Sequence, residues 1–411
     1  MSVNKYIYDI LIVGAGPAGC SSAIRLANVG LRVALLDKAT FPRDKICGDA
    51  LSVDVLNQLP MLSQSMSQAF ETCADKIPSY GVSIFSPGNH QLHIPFIYKG
   101  EKTSGYICQR LHFDNLLFEQ VKQHSSIHTY EHCQVKRAAY TSDEVILHTN
   151  LGEFQGKIVI GADGAQSVIG KQLGYIPVDR KHYSAGIRVY YEGVSNFHAE
   201  NFIELYFFRQ ILPGYLWVFP LAGNKANVGI GMLASVVAAK KLNLKDILQH
   251  LLSTHPLLKE RFKNAKPLET PKGFGLPLGS KKRSLSGERF LLAGDAASLI
   301  DPFTGEGIGN AIRSGRVAAE HIIACFTNNN FSASFNKQYD HEIYRRMWKE
   351  LRISRSLQNL CQYPWLFDFL VKKANNNPYL QRFFTQALAD ADTKRLLTQP
   401  GFYYRLLIKQ S

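Results

Sequence analysis

The hydrophobic positions fall into blocks whose period changes along the chain. Tyr8 to Val13 is an apolar run broken only at Asp9, the pattern of a parallel strand covered on both faces. A helical stretch follows to about Val29, with Ala23, Leu26 and Ala27 on one side, and Gly30 ends it. Arg32 to Leu36 then reads as a second apolar strand closing at Asp37, so the chain opens on a βαβ unit. Residues 51–100 are polar and proline-broken, as in Ile84-Phe85-Ser86-Pro87-Gly88, and read as strands and hairpins. Arg110 to Gln120 is helical, and Val145 to Ile160 alternates like a hairpin. From Ser184 to Leu233 the period is two and the run is rich in Tyr, Phe and Val, which predicts antiparallel strands. Lys240 to Phe262 and Ile308 to Phe326 read as helices, as do the last eighty residues, with breaks at Pro364, Pro378 and Pro400.

Two glycine-rich loops punctuate this pattern about 280 residues apart. Gly14-x-Gly16-x-x-Gly19 lies between the first strand and its helix, the context that gives the spacing meaning. Gly14 permits the tight turn, Gly16 lets the backbone approach a pyrophosphate, and Gly19 lets helix and strand pack closely. Asp37 is placed to accept from a ribose hydroxyl, and it would repel a 2′-phosphate. The second loop follows the strand Phe290 to Ala293 and runs Gly294-Asp295 through Gly305, Gly307 and Gly309 into a helix. A loop feeding a helix offers bare N–H groups and a positive dipole end to an anion. Two such loops at opposite ends of a chain imply one long cofactor held at both of its ends, a flavin dinucleotide.

The bulk numbers narrow the class. At 411 residues the chain accommodates two interleaved domains, and 45% hydrophobic with 19% charged residues is ordinary for a globular protein. The net charge is +14, yet no basic tail or nucleic-acid motif accompanies it, so no nucleic-acid partner is expected. Seven scattered cysteines without a Cys-x-x-Cys pair argue for a reducing, cytoplasmic compartment and against a disulfide framework. The histidines show no ligand spacing, so no metal is expected. No apolar run is long enough to span a membrane. Residues 331–411 hold thirteen Lys/Arg against six Asp/Glu, so their helices have the charge to lie on the anionic inner face of a membrane.

Phe41-Pro-Arg43-Asp-Lys-Ile-Cys47-Gly48-Asp49 resembles a Pro-Arg-x-Lys-x-Cys-Gly stretch of the geranylgeranyl reductase family, a branch of the para-hydroxybenzoate hydroxylase-like flavoproteins. The resemblance continues at Arg110-x-x-Phe113-x-x-x-Leu117, at Gly161-Ala-Asp163-Gly164-Ala-Gln-Ser167 and at the Asp295 loop. It implies FAD, with NAD(P)H or another external electron donor. It also implies an α/β fold: a Rossmann-like FAD-binding domain interleaved with an antiparallel β-sheet substrate domain, and a helical C-terminal region. Residues 1–50, 101–175 and 276–330 are assigned to the first, 51–100 and 176–275 to the second, and 331–411 to the third. By the same resemblance the cofactor contacts are Gly14, Ala15, Gly16, Ala18, Gly19, Asp37, Lys38, Arg43, Cys47, Gly48, Arg110, Val135, Asp163, Gly164, Asp295, Pro302, Gly305, Gly307 and Ile308. Asp295 is expected on the ribityl chain, with the helix near Ile308 facing the isoalloxazine.

Pro213-Gly-Tyr215-Leu-Trp217-Val-Phe219-Pro220 is similar to the family's Tyr-x-Trp-x-Phe-Pro signature over the flavin. Period-two spacing puts Tyr215, Trp217 and Phe219 on one strand face, an aromatic wall suited to a long apolar polyene. The resemblance implies reduction of C=C bonds in a prenyl chain, with a small-molecule or lipid substrate, and Cys47, Tyr215 or a water as candidate proton donor. The cofactor motifs equally fit a monooxygenase acting on an aromatic or polyene, and a carrier that binds flavin or isoprenoid without turnover. A flavin halogenase fits less well, because a second Trp near residues 217–220 is absent.

Overall fold

The computed structural model describes residues 4–98, 100–174 and 177–375, and beyond these 377, 380, 381, 383–385, 396, 399 and 401. The expected breaks at Pro378 and Pro400 lie outside the described residues. A six-stranded sheet runs in the order Ile127–Tyr130, Val33–Leu36, Ile10–Val13, Ile158–Gly161, Phe290–Leu292 and Ser286–Gly287. The first five strands are parallel and the last is antiparallel. Ile10–Val13, Val33–Leu36 and Ile158–Gly161 are buried at every position, as a sheet covered on both faces requires.

Helices Pro17–Leu26, Arg110–Lys122 and Ile308–Thr327 pack together beside this sheet. An antiparallel meander of Val135–Tyr140, Val145–Thr149 and Glu153–Gly156, extended by the parallel strand Lys5–Ile7, closes the same core. The apolar run expected from Tyr8 is therefore split. Asp9 turns the chain from the meander into the central sheet, and its carboxylate accepts from the Arg32 amide at 2.8 Å.

Helix Pro17–Leu26 crosses helix Ile308–Thr327 at backbone distance. A Cβ on Gly315 would overlap the Ala18 carbonyl oxygen, and one on Gly294 would sit between the Cβ atoms of Ala18 and Ala311 at 3.1 and 3.2 Å. This crossing joins the two glycine loops although they lie far apart in sequence.

Residues 51–71, expected among the hairpins of the substrate domain, form helices Val53–Leu62 and Gln64–Glu71. Ser52 and Ser63 cap them by accepting the Val55 and Met66 amides, and Val55, Leu59, Met66 and Phe70 enter the core around the parallel sheet. Capping and burial outweigh Pro60, which falls inside the first of these helices. The expected helix 240–262 is likewise divided, into Leu244–Thr254 and Lys259–Phe262, and a separate helix Ala234–Ala239 precedes it. Pro256 forces His255 into an extended conformation at one of these breaks.

The second large sheet follows the order Lys266–Pro267, Tyr183–Glu192, Lys225–Leu233, Tyr215–Leu221, Ile203–Tyr206, Gly81–Phe85 and Gln91–Pro95, with Lys272–Pro277 also on Tyr183–Glu192. Its pairs are antiparallel except Ile203–Tyr206 with Gly81–Phe85. Leu216, Val218, Val228 and Ile230 pack under helix Leu244–Thr254, while Trp217 and Phe219 form a separate cluster on the opposite face. The three-stranded sheet of Ala50–Leu51, Gly105–Cys108 and Lys76–Ser79 sits against that face and links the two halves.

Helix Ala333–Leu360 returns to the first core. Tyr339, Ile343, Met347 and Leu351 are buried in it, and the Tyr339 hydroxyl donates to the Leu292 carbonyl at 2.6 Å. Its apolar stripe is thus spent inside the protein, and Arg345 and Arg346 are ion-paired with Glu342. Among the described residues no helix is long and apolar enough to cross a membrane.

Gly315→Ala tests the helix crossing. In a free helix the change would gain about 1 kcal/mol. Here overpacking against Ala18 reverses the sign, and a loss of about 1–3 kcal/mol is expected from the urea midpoint. A stabilised variant would show that the crossing is not tight.

Candidate cofactor and substrate site

Strand Ile10–Val13 delivers the first loop to the carboxyl edge of the sheet. Gly14 takes φ +98°, and a Cβ there would overlap the Ala162 carbonyl, so loop 161–164 presses directly on the fingerprint. Helix Pro17–Leu26 starts at Gly16 without a side-chain cap, whereas Ser52, Ser63, Ser167, Asn243 and Ser332 each cap their own helices. Its first N–H groups therefore await an external acceptor. The Arg43 guanidinium lies 3.6 Å from where a Gly16 Cβ would be, adding positive charge at the same spot. Asp37 is nearly buried and shapes the loop itself, accepting from the Ala15 amide at 2.7 Å and the Ala39 amide at 2.8 Å. This donor set suits the pyrophosphate and adenosine end of a dinucleotide.

The second loop supplies the other end. Helix Ile308–Thr327 also starts uncapped, at Gly307, whose Cβ position is 3.5 Å from Asp295 Oδ1. Lys45, from the Pro42–Gly48 segment, reaches Asp295 Oδ2 at 3.3 Å. Gly305 has φ +73° and faces the Tyr215 hydroxyl at 3.0 Å from its Cβ position, and that hydroxyl donates to the Thr304 carbonyl. Pro302 is buried and its carbonyl accepts from Gln358 of the C-terminal helix at 2.6 Å. The loop is thus held between the aromatic strand and residues 333–360.

Cys47 and Gly48 meet the aromatic wall. A Cβ on Gly48 would lie 2.8 Å from the Phe219 ring, so only glycine admits this approach. The Cys47 sulfur faces the Arg110 guanidinium, which is itself bound twice to Asp114 at 2.6 Å. Arg43 binds the same carboxylate at 2.7 Å. Burial pushes the Asp114 carboxyl upward, but Arg110 and Arg43 outweigh it and hold it below the usual range.

Other expected cofactor residues are placed differently. Asp163 turns Oδ2 to the Val168 and Ile169 amides at 2.6 and 3.3 Å, capping a short helix, while its buried Oδ1 has no partner; burial raises its pKa. Gly164 follows with φ +76°. Ala18 packs at the helix crossing, Gly19 at the Gly14 carbonyl, and Ile308 is buried. Lys38 is exposed beside Asp37. Val135 lies in a core strand of the meander, two residues after Cys133, whose amide donates to the Asp37 carbonyl.

Sequence reading missed Asp114, Asp49, Tyr190, Arg188 and Asn227. The Arg110–Asp114 spacing of four was a visible signal for an ion pair on one helix. Asp49 closes the Phe41–Gly48 stretch and Asn227-Val-Gly-Ile-Gly231 follows the aromatic strand, but their roles depend on partners from different sheets, and nothing local marks Tyr190 or Arg188. Asp49 accepts from Tyr190 and Asn227, both at 2.7 Å, and Asn227 accepts from the Trp217 indole at 2.9 Å. Arg188 is fully buried between Asp44 and Glu269, at 2.6 and 2.8 Å.

Asp114→Ala would leave two guanidinium groups facing each other with little water. A loss of about 3–5 kcal/mol in denaturant stability is expected. Because the Asp114 pKa is lowered, its contribution is present at neutral pH and fades only below the ordinary carboxylate range. An unchanged midpoint would show that Asp114 does not hold the pair.

Residues 7–354 match the model of the FAD binding domain family. The digeranylgeranylglycerophospholipid reductase of Methanosarcina acetivorans is 30% identical over 357 residues, covering 84% of this chain and 81% of that protein. The menaquinone reductase of Mycobacterium tuberculosis is 28% identical over 324 residues, 76% of each chain. In three dimensions, a geranylgeranyl bacteriochlorophyll reductase-like protein from Thermoplasma acidophilum superposes with a TM-score of 0.80 at 24% identity, over 91% of this chain and 93% of that one. That likeness shows the shared fold. The chain belongs to the FAD binding domain family and, within it, to the geranylgeranyl reductase family, and FAD is its cofactor.

Proposed function

We propose that the protein is an FAD-dependent reductase that saturates C=C bonds in the prenyl chain of a lipid. The observation that carries this reading is a run of apolar side chains packed beside the cofactor loops. Trp217 and Phe219 meet Gly48 at one end, and the run continues through Leu205, Tyr215, Phe207 and Phe303 to Phe367. Side chains of this kind offer dispersion but few hydrogen bonds, which suits a polyene and not a small polar aromatic. Both relatives bear the names of reductases whose substrates carry prenyl chains.

Bound and reduced by NAD(P)H or another external donor, FAD supplies the electron pair, so that two hydrogens add across the double bond. The chain's own residues position the alkene, exclude water and deliver a proton. Tyr215 is the poorer donor of the two candidates. Burial raises its pKa and its hydroxyl proton is directed at the Thr304 carbonyl, so it serves to hold the Gly305 loop. Cys47 is half-buried beside Gly48, and Arg110 faces its sulfur. The thiol gives its proton to the alkene carbon, Arg110 stabilises the resulting thiolate, and solvent returns the proton afterwards.

Anaerobically reduced holoenzyme mixed with a geranylgeranyl lipid should reoxidise its flavin as the lipid gains two hydrogens by mass. A strict oxygen requirement would overturn the reductase reading in favour of a monooxygenase, and tight binding without reoxidation would favour a carrier. Cys47→Ala should keep its flavin and lose about 10²–10⁴-fold in kcat. Trp217→Ala should mainly raise KM. A Cys47→Ala enzyme with unchanged kcat would remove the thiol from the proton path.

A further inference from the structure

Asp49 is a carboxylate that the mechanism above does not use, and its surroundings are unusual. It is fully buried, it follows Gly48 directly, and its backbone is left-handed at φ +68°. Asp is one of the few side chains that tolerate this region, and a position so constrained in both backbone and burial is costly to maintain. All three of its oxygens are engaged. Oδ1 accepts from the Arg110 amide at 3.2 Å, and Oδ2 accepts from the Tyr190 hydroxyl and Asn227 Nδ2, both at 2.7 Å. Its carbonyl accepts from the Cys108 amide at 2.9 Å.

The partners matter more than the count. Asn227 Nδ2 also donates to the Cys47 carbonyl at 2.7 Å, and Asn227 Oδ1 accepts from the Trp217 indole at 2.9 Å. One amide therefore ties together the thiol-bearing peptide, the aromatic wall and the Asp49 carboxylate. An amide free to flip would exchange its donor and acceptor ends and lose all three bonds at once. The Trp217 indole, which only donates, and the Cys47 carbonyl, which only accepts, fix its orientation, and the Asp49 carboxylate adds an anionic acceptor that holds the same nitrogen in place. We propose that Asp49 is the positioning residue of the site: through Asn227 it sets the Cys47 peptide and the Trp217 ring in fixed relation across the two sheets. The assignment of a role to that relation rests on the reductase reading, whereas the bonds themselves do not.

Protonation is the natural way to break this arrangement. Burial raises the Asp49 pKa to about 6, against the opposing pull of Tyr190, Asn227, Arg188 and the Arg110 amide. The titratable and charged groups around it are Arg188 and Tyr190 on strand Tyr183–Glu192, Arg110 at its helix start, Cys108 on strand Gly105–Cys108, and Asp44 and Cys47 on its own segment. Burial raises Cys108 and Tyr190 far above neutrality. Burial opposes ionisation of Asp44 as well, but Arg188 and Lys272 outweigh it and keep that carboxyl low. A protonated Asp49 presents an O–H where Asn227 or Tyr190 donates, so the network loosens as pH falls through its pKa.

The test uses tryptophan emission of the FAD-loaded protein in a Trp348→Phe/Trp365→Phe background, where Trp217 is the last of the three tryptophans. Its emission should step with a midpoint near pH 6, where Asp49 titrates. Asp49→Asn should abolish the step. Tyr190→Phe, which removes one donor from the ionised form, should move the midpoint to higher pH. A step that persists in Asp49→Asn, or a Tyr190→Phe midpoint that stays put or falls, overturns the proposal. Should Asp49→Asn fail to fold, the Tyr190→Phe shift decides alone. The optical readout needs no substrate, so it stands even where prenyl reduction is not found. With a turned-over substrate, kcat should fall along the same acid limb with KM little changed, and an absent limb would confine Asp49 to a structural part.

Discussion

The backbone contact between helix Pro17–Leu26 and helix Ile308–Thr327 is the constraint on which the site depends. Gly315 lets the second helix settle on the Ala18 carbonyl, and Gly294 lets the end of strand Phe290–Leu292 come down between Ala18 and Ala311. With side chains at these points the helices would stand further apart, and the two uncapped N-termini would separate with them. In the reading proposed above, the close crossing lets both anion-binding ends serve one long cofactor.

Charge is handled by enclosure. Asp114 sits between Arg43 and Arg110, and Arg188 between Asp44 and Glu269, so each buried group has a partner of opposite sign. Buried ion pairs bring little net stability, because desolvation offsets attraction. What they bring here is geometry. Both clusters include residues of the 42–49 segment, and the segment is thereby fastened to a helix of the cofactor domain on one side and to the substrate sheet on the other. The Cys47–Gly48 peptide lies where those fastenings meet.

The glycine loops were legible in sequence because a loop that must pass close to backbone or phosphate excludes side chains, whatever else surrounds it. The aromatic strand was legible for a similar reason: period-two alternation separates Trp217 and Phe219 from Leu216 and Val218, and the two sets do enter different clusters. Helices Val53–Leu62 and Gln64–Glu71 were hidden by Pro60 and by polar composition, although the serines that cap them were in plain view. The tail's basic residues suggested lipid-facing helices, and in helix Ala333–Leu360 the stripe of Tyr339, Ile343, Met347 and Leu351 belongs to the protein's own core. Composition records how many charges a helix has and does not record which face is already covered.

The sequence by itself determined the cofactor and the broad fold, because strand–glycine–helix junctions and strand periodicity are local properties of a few adjacent residues. The tertiary structure alone decided which groups surround the reacting region. Asp49 and Asn227 are 178 positions apart, and Arg43 and Asp114 are 71 apart. No local pattern reports such pairings, since hydrogen bonds between sheets depend on how whole layers stack, and only burial makes a lone Asp or Asn in the sequence into a fixed point of the site.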